Sequence, residues 1–237
     1  MKTIGFGLAA IICIAPFASA TPVCTTGTLA TYETLGSTGC TIGTNTVFGF
    51  NVPSGTSGAT DIASAGIQIM PSGGTTSPTL EFTASSMAAN GDLLEALIDY
   101  SISGNDYTSD SITLAGTSSS GNGAVTDIQN YCLGGSFDSS GVLNCSTGKT
   151  GDLLLLGNGS DSTSFAATPF LNVTHDFTLD SGGVGIANTA SGGMITDSYK
   201  ASPAAIPEPR MFLPVAAGLL LVMLRNKKRS FAKEEGK

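Results

Sequence analysis

The chain has no tryptophan and one histidine, His175. Charged residues make up only 12% of it, with ten bases against eighteen acids and a net charge of −8. Each shortage excludes something. A single histidine cannot supply a site built on several imidazoles. A net acidic chain has no basic footprint, so no nucleic-acid partner is expected. Without tryptophan, the largest ring for stacking on a sugar is missing. The nucleophile elbow G-x-S-x-G does not occur, and neither does C-x-x-C. Long apolar runs are absent from the middle and occur only near the two ends.

The N-terminal end reads as a secretory signal. Lys2 gives a short positive region, an apolar run follows from Ile4 to Phe17, and Ala18-Ser19-Ala20 is a small-residue cleavage site. Cutting between Ala20 and Thr21 by signal peptidase is the expectation, after passage through the Sec translocon. A first transmembrane helix is the rival reading, and Pro16 argues against it. At the other end, Pro207-Glu208-Pro209 precedes an uncharged stretch from Met211 to Leu224, and Arg225, Lys227, Lys228 and Arg229 follow. A helix over those positions spans roughly 21 Å, less than a bilayer core of roughly 30 Å, so local thinning and snorkelling are required. The basic cluster is expected on the cytoplasmic side, with residues 230–237 as a tail and the body outside the inner membrane.

This ordered trio at the end of a chain with a signal peptide resembles the PEP-CTERM sorting signal. The resemblance covers about Ile206 to Arg229; Arg210 directly follows the motif, and the chain continues past the basic cluster. It implies export in a Gram-negative bacterium and processing of the tail by an exosortase-like membrane enzyme. It also implies a final place at the cell surface or in the extracellular matrix, with extracellular polysaccharide as a partner.

Between the ends, charge balance changes. Thr21 to Ala205 holds fifteen acids and two bases, Lys149 and Lys200, so the exported body carries −13. Such a surface repels anionic polymers. Four cysteines remain after the signal is cut. They allow three pairings, of which Cys24 with Cys40 and Cys132 with Cys145 close the short loops expected in an oxidising compartment. A zinc site is the rival, but no histidine lies near either pair.

Strand signals dominate the body. Thr46 to Val52, Gly66 to Met70, Leu80 to Ala84, Ser111 to Leu114, Leu171 to Leu179 and Gly193 to Thr196 alternate polar and apolar residues, separated by Gly, Ser, Asn and Pro. Asp92 to Ser103 tolerates a helix, yet Leu94, Ala96, Ile98, Tyr100 and Ile102 share a face at period two, which predicts a strand. Asp152 to Leu156 is apolar on both faces and predicts an interior strand. The pattern predicts an all-β fold: a single β-sandwich, jelly-roll or Ig-like, over residues 21–200, with a linker at 201–206. The body also resembles the sandwich of many PEP-CTERM proteins through Asp92 to Ser103, Cys132 to Phe137 with Cys145, and Val173 to Asp176 leading to Gly182-Gly183-Val184-Gly185. That resemblance implies no activity.

No catalytic residue, metal or cofactor is expected. Gly148-Lys149-Thr150 lacks the earlier glycine of a phosphate loop, since Leu143 stands there. His175 and Asp176 are neighbours on a predicted strand, so they point to opposite faces and read as a surface pair. Asn105, Asp106 and Asp110, and Asn158 with Asp161, carry oxygens suited to calcium, but β-turns use the same residues and are the expectation. The functional expectation is a non-enzymatic exported surface protein. The alternative is a carbohydrate- or calcium-binding module, and a secreted hydrolase would require acids gathered around His175 in a cleft.

Overall fold

The computed structural model describes residues 20–55, 58–138, 144–184 and 188–202. The body is all-β, with one five-residue α-helix. The strands are β1 (Gly27–Thr28), β2 (Cys40–Ile42), β3 (Asn45–Asn51), β4 (Thr60–Asp61), β5 (Ile67–Gly73), β6 (Pro78–Ala84), β7 (Met87–Ala89), β8 (Leu93–Ala115), β9 (Ser118–Ser120), β10 (Ala124–Leu133), β11 (Thr150–Leu156), β12 (Gly159–Asp180), β13 (Thr189–Ser191) and β14 (Met194–Ser202). The helix α1 (Leu29–Glu33) is capped by Thr28, whose hydroxyl accepts from the Thr31 amide.

One large sheet runs in the order β1-β5-β6-β14-β8-β12-β10-β11, with β3 and β4 also on β8 and β2 on β3. A small second sheet has the order β7-β13-β9. The 23-residue strand β8 and the 22-residue β12 pair along most of their lengths. Their register shifts between Ser164 and Phe170, where extra residues on each strand bend the ladder. Gly104 lies in this bend at φ +134°; a Cβ there would come within 2.6 Å of the Thr44 carbonyl oxygen.

The bend is large. His175 is in register with Ile98 of β8, and Asp197 of β14 with Ile112. Those β8 positions would be roughly 46 Å apart in a straight strand. Yet the His175 and Asp197 side chains touch, so the sheet folds over and its halves face one another across a shared core. Ile98, Tyr100, Ile102, Ile112, Val173, Phe177, Phe82 and Tyr199 fill it, each no more than 1% exposed.

The predicted strand over Asp92 to Ser103 forms, with the predicted face inward, but it does not stop there. It continues through Ser111 to Leu114, so two expected strands are one. The interior placement of Asp152 to Leu156 is corrected. β11 ends the sheet, and Leu154 and Leu156 are 47% and 73% exposed. Asn105, Asp106 and Asp110 are not in turns; they lie within β8, where Asn105 bonds Thr44, Asn45 and Thr75. Asn158 does sit in a tight turn, fixing Thr117 through both ends of its amide. Ala201 and Ser202 belong to β14 rather than to a linker, because Ala201 is buried and paired with Tyr107.

Both expected disulfides are present. Cys24 and Cys40 have Cα atoms 4.9 Å apart, and Cys132 and Cys145 5.4 Å. The first staples the entry of the chain onto β2. The second closes the loop after β10, whose Phe137 amide donates to Asn172 of β12.

Candidate functional site

Strand alternation creates two polar sites back to back. β8, β12 and β10 lie side by side, so successive residues point alternately into the core and away from it. His175 points in and Asp176 points out, as expected for neighbours on a strand. The surface reading of His175 is overturned: the side chain is 0% exposed. The reason is long-range partnering, since carboxylates from two other strands receive it.

Inside, His175 Nδ1 meets Asp127 of β10 at 3.1 Å, and Nε2 meets Asp197 of β14 at 2.8 Å. Asp197 also accepts from the Tyr100 hydroxyl, from the Tyr199 hydroxyl at 3.2 Å and from Gln129 Nε2 at 3.2 Å. Tyr100 stacks on the imidazole with ring centres 6.3 Å apart, and Phe82 covers it at 5.6 Å. Burial pulls the imidazole pKa down, but Asp197 and Asp127 outweigh it and hold His175 well above its ordinary value. Burial raises the Tyr100 and Tyr199 hydroxyls well above theirs, and Asp197 adds to this. Asp110 is also 0% exposed; neither carboxyl oxygen makes a well-formed hydrogen bond, although the Ser111 amide and the Gln129 side chain lie close enough to favour its charged form. Burial, then the charge of Asp197, pushes its pKa well up.

On the outer face of the same strands lies a groove of about 620 Å³. Glu95, Leu97 and Asp99 of β8, Thr174 and Asp176 of β12, and Ile128 and Asn130 of β10 line it. Asn51 and Pro53 stand on one side, with Phe137 and Asp138 of the disulfide loop on another. Asn172 ties these parts together: its amide donates to Asp99 Oδ1 and to the Tyr100 carbonyl, both at 2.8 Å, while its oxygen accepts from Phe137. Burial lifts Asp99 to about 6, against the lowering effect of the Asn172 bond. Burial also raises Asp176, and Glu95 beside it adds to the shift by repulsion and by a shared hydrogen bond. Four carboxyl groups with no lysine or arginine among them favour a ligand that donates hydrogen bonds.

The other sequence-derived residues are placed as follows. Ala20 is exposed and Thr21 half-buried at the start of the described body. Pro22 already accepts from the Thr41 amide at 2.8 Å. Pro207, Glu208, Pro209, Arg225, Lys227, Lys228 and Arg229 lie outside the described residues, as do the apolar runs Ile4 to Phe17 and Met211 to Leu224. Among the described residues no helix is long and apolar enough to cross a membrane. Nor do three His, Cys, Asp or Glu side chains there come together to hold a metal ion. Asp110 stands in the sequence as a turn or calcium-type oxygen donor, and no motif singles out Asp127, Asp197, Glu95 or Asp99. Asp127 and Asp197 sit at apolar-parity positions of their strands, Val125-Thr126-Asp127 and Ile195-Thr196-Asp197, which is the one local sign of inward-facing acids. The chain matches no protein-family model, no curated protein and no solved structure.

Proposed function

We propose that this chain is an exported, non-enzymatic protein of the cell surface or extracellular matrix. Its body is a disulfide-stapled β-sandwich, with the two halves of the folded sheet as the layers. The observation that carries this reading is the pair of disulfides in an all-β body, which suits an oxidising compartment. The body also begins within two residues of the expected cut after Ala20, since Pro22 is already bonded to β2. The tail would hold the precursor in the inner membrane until an exosortase-like enzyme acts at Pro207-Glu208-Pro209. Acids do gather around His175, and its side chain and those of Asp110, Asp127 and Asp197 are fully buried beneath the groove that His175 helps to line. Deleting residues 207–229 should move the protein between cell fractions and leave its intact mass without a tail-processing step. An unchanged distribution would end the sorting reading.

The groove favours a second role for the same body, carbohydrate binding. Its volume lies in the range of ligand sites, and its lining mixes carboxyl, amide and hydroxyl groups with Leu97, Ile128 and Phe137. Calorimetry with neutral, amine-bearing and anionic oligosaccharides should show heat with the first two and none with the third. No heat with any of them would remove this role, and Asp99→Asn should weaken whichever binds.

A further inference from the structure

The interior around His175 contains more acceptors than donors unless protons are added. The imidazole has carboxylates on both nitrogens, at 3.1 Å and 2.8 Å, so each nitrogen must carry a hydrogen to bond them. Asp110 has two buried oxygens without a well-formed hydrogen bond, with the Ser111 amide and the Gln129 side chain beside them, and the buried amide oxygen of Gln129 is also without one. Three such buried acceptors in one cluster are costly. A proton on Asp110 removes one charge from this crowded set of acceptors and gives its carboxyl an O–H to donate.

We propose that the core of this protein is a proton-loaded clamp. In it His175 is an imidazolium and Asp110 a neutral acid, and these two protons hold β14 against β10 and β12. The body is then tightest in mildly acidic surroundings and loosens as they turn alkaline. With both protons in place the cluster of Asp110, Asp127, Asp197 and His175 carries −1; without them it carries −3 in an interior sealed from water.

The charged and titratable groups around the clamp come from every strand packed on it. β8 contributes Tyr100 and Asp110, β10 contributes Asp127 beside Gln129, and β14 contributes Asp197 and Tyr199. β6 contributes the neutral ring of Phe82. Tyr107 packs edge-on against Tyr199 and is bonded to Asn45. Behind the sheet, the charge of Asp127 reaches Asp176 and raises it. No lysine or arginine appears among these groups, so His175 is the cation of the cluster. The direction of the linkage is the same for both protons. His175 and Asp110 are each raised on folding, so their stabilisation is complete below the unfolded values and is lost as pH rises through the folded ones. Asp127, raised by burial against the pull of His175, acts in the same sense.

The lone histidine makes the test direct. In the full chain, purified in mild detergent and labelled with ¹⁵N, the one imidazole should show both ring nitrogens protonated at pH 7.5. A neutral tautomer at that pH overturns the proposal. The infrared stretch of a protonated carboxyl should be present at pH 7 and reduced in Asp110→Asn; a wild-type protein without such a band also overturns it. Above pH 6.5, where the unfolded chain has given up both protons, the melting temperature should fall by on the order of 3 °C per pH unit for each of the two that the folded body still holds. Asp110→Asn, which keeps a neutral donor in place, should flatten that fall. A melting temperature that is constant or rising from pH 6 to 9 contradicts the clamp. If Asp110→Asn does not fold, the wild-type imidazole signal still decides for His175, and Asp110→Glu, which keeps the acid, should retain the carboxyl band that Asp99→Asn and Asp176→Asn leave in place; loss of the band in either of those two variants would overturn the assignment to Asp110.

Discussion

Tyr100 shows how much one side chain does at this centre. Its ring lies between Phe50, stacked at 5.3 Å, and His175, and its hydroxyl serves the Asp197 carboxylate. Hydrogen bonds to a buried charge are worth about 1.5–3 kcal/mol. Tyr100→Phe removes the hydroxyl and keeps the ring, so it should destabilise the body by about 2 kcal/mol in urea unfolding with the disulfides intact. A loss near zero would mean that Tyr199, 2.6 Å from the Tyr100 hydroxyl, takes over the donation. Tyr100 was legible in the sequence as an inward residue, because alternation along Asp92 to Ser103 marks its face. Its bond was not legible, because Asp197 is ninety-seven residues away and joins it only after the sheet folds over. The partners of His175 are hidden from the sequence for the same reason. Beside Asp176 a histidine looks like half of a surface pair, and only long-range ladders bring Asp127 and Asp197 to it.

At the scale of elements, alternation located β3, β5, β6 and β14 and the second half of β12. It failed for the first half of β12, where Gly159 to Ser164 is polar on both faces because that segment is exposed on both. It also misplaced β11, whose leucines are apolar on both faces although one row faces solvent. The rival helix over Leu93 to Ile98 fails because Val173 and Phe177 of β12 pack on the period-two face. The disulfide loops were legible from spacing, and they differ in what they support. Cys132–Cys145 frames the segment that places Phe137 and Asp138 at the groove; Cys24–Cys40 fastens the entry of the chain far along β3 and β2. Replacing either pair by serine should cost about 3 kcal/mol in the loop-entropy account. Only loss of Cys132–Cys145 should also weaken oligosaccharide binding in calorimetry. Equal effects of both pairs on binding would detach the groove from that loop.

For the whole molecule, the first impression of a mildly acidic chain conceals a strongly acidic body between two apolar ends. The structure shows where some of that acidity is kept: three aspartates in the core and a groove with four carboxyl groups. Burial holds four of these carboxyl groups, Asp99, Asp110, Asp127 and Asp176, above the ordinary carboxylate range. The order of the strands has a mechanical consequence as well. β14 ends at Ser202, so a pull on the chain beyond it would act first on β14. β14 is not an edge: β6 lies on one side of it and β8 on the other. Its ladder bonds run across the direction of pull, so they must shear together and cannot open one after another. Tension applied along β14 would therefore have to break two ladders at once, where an edge strand would present one.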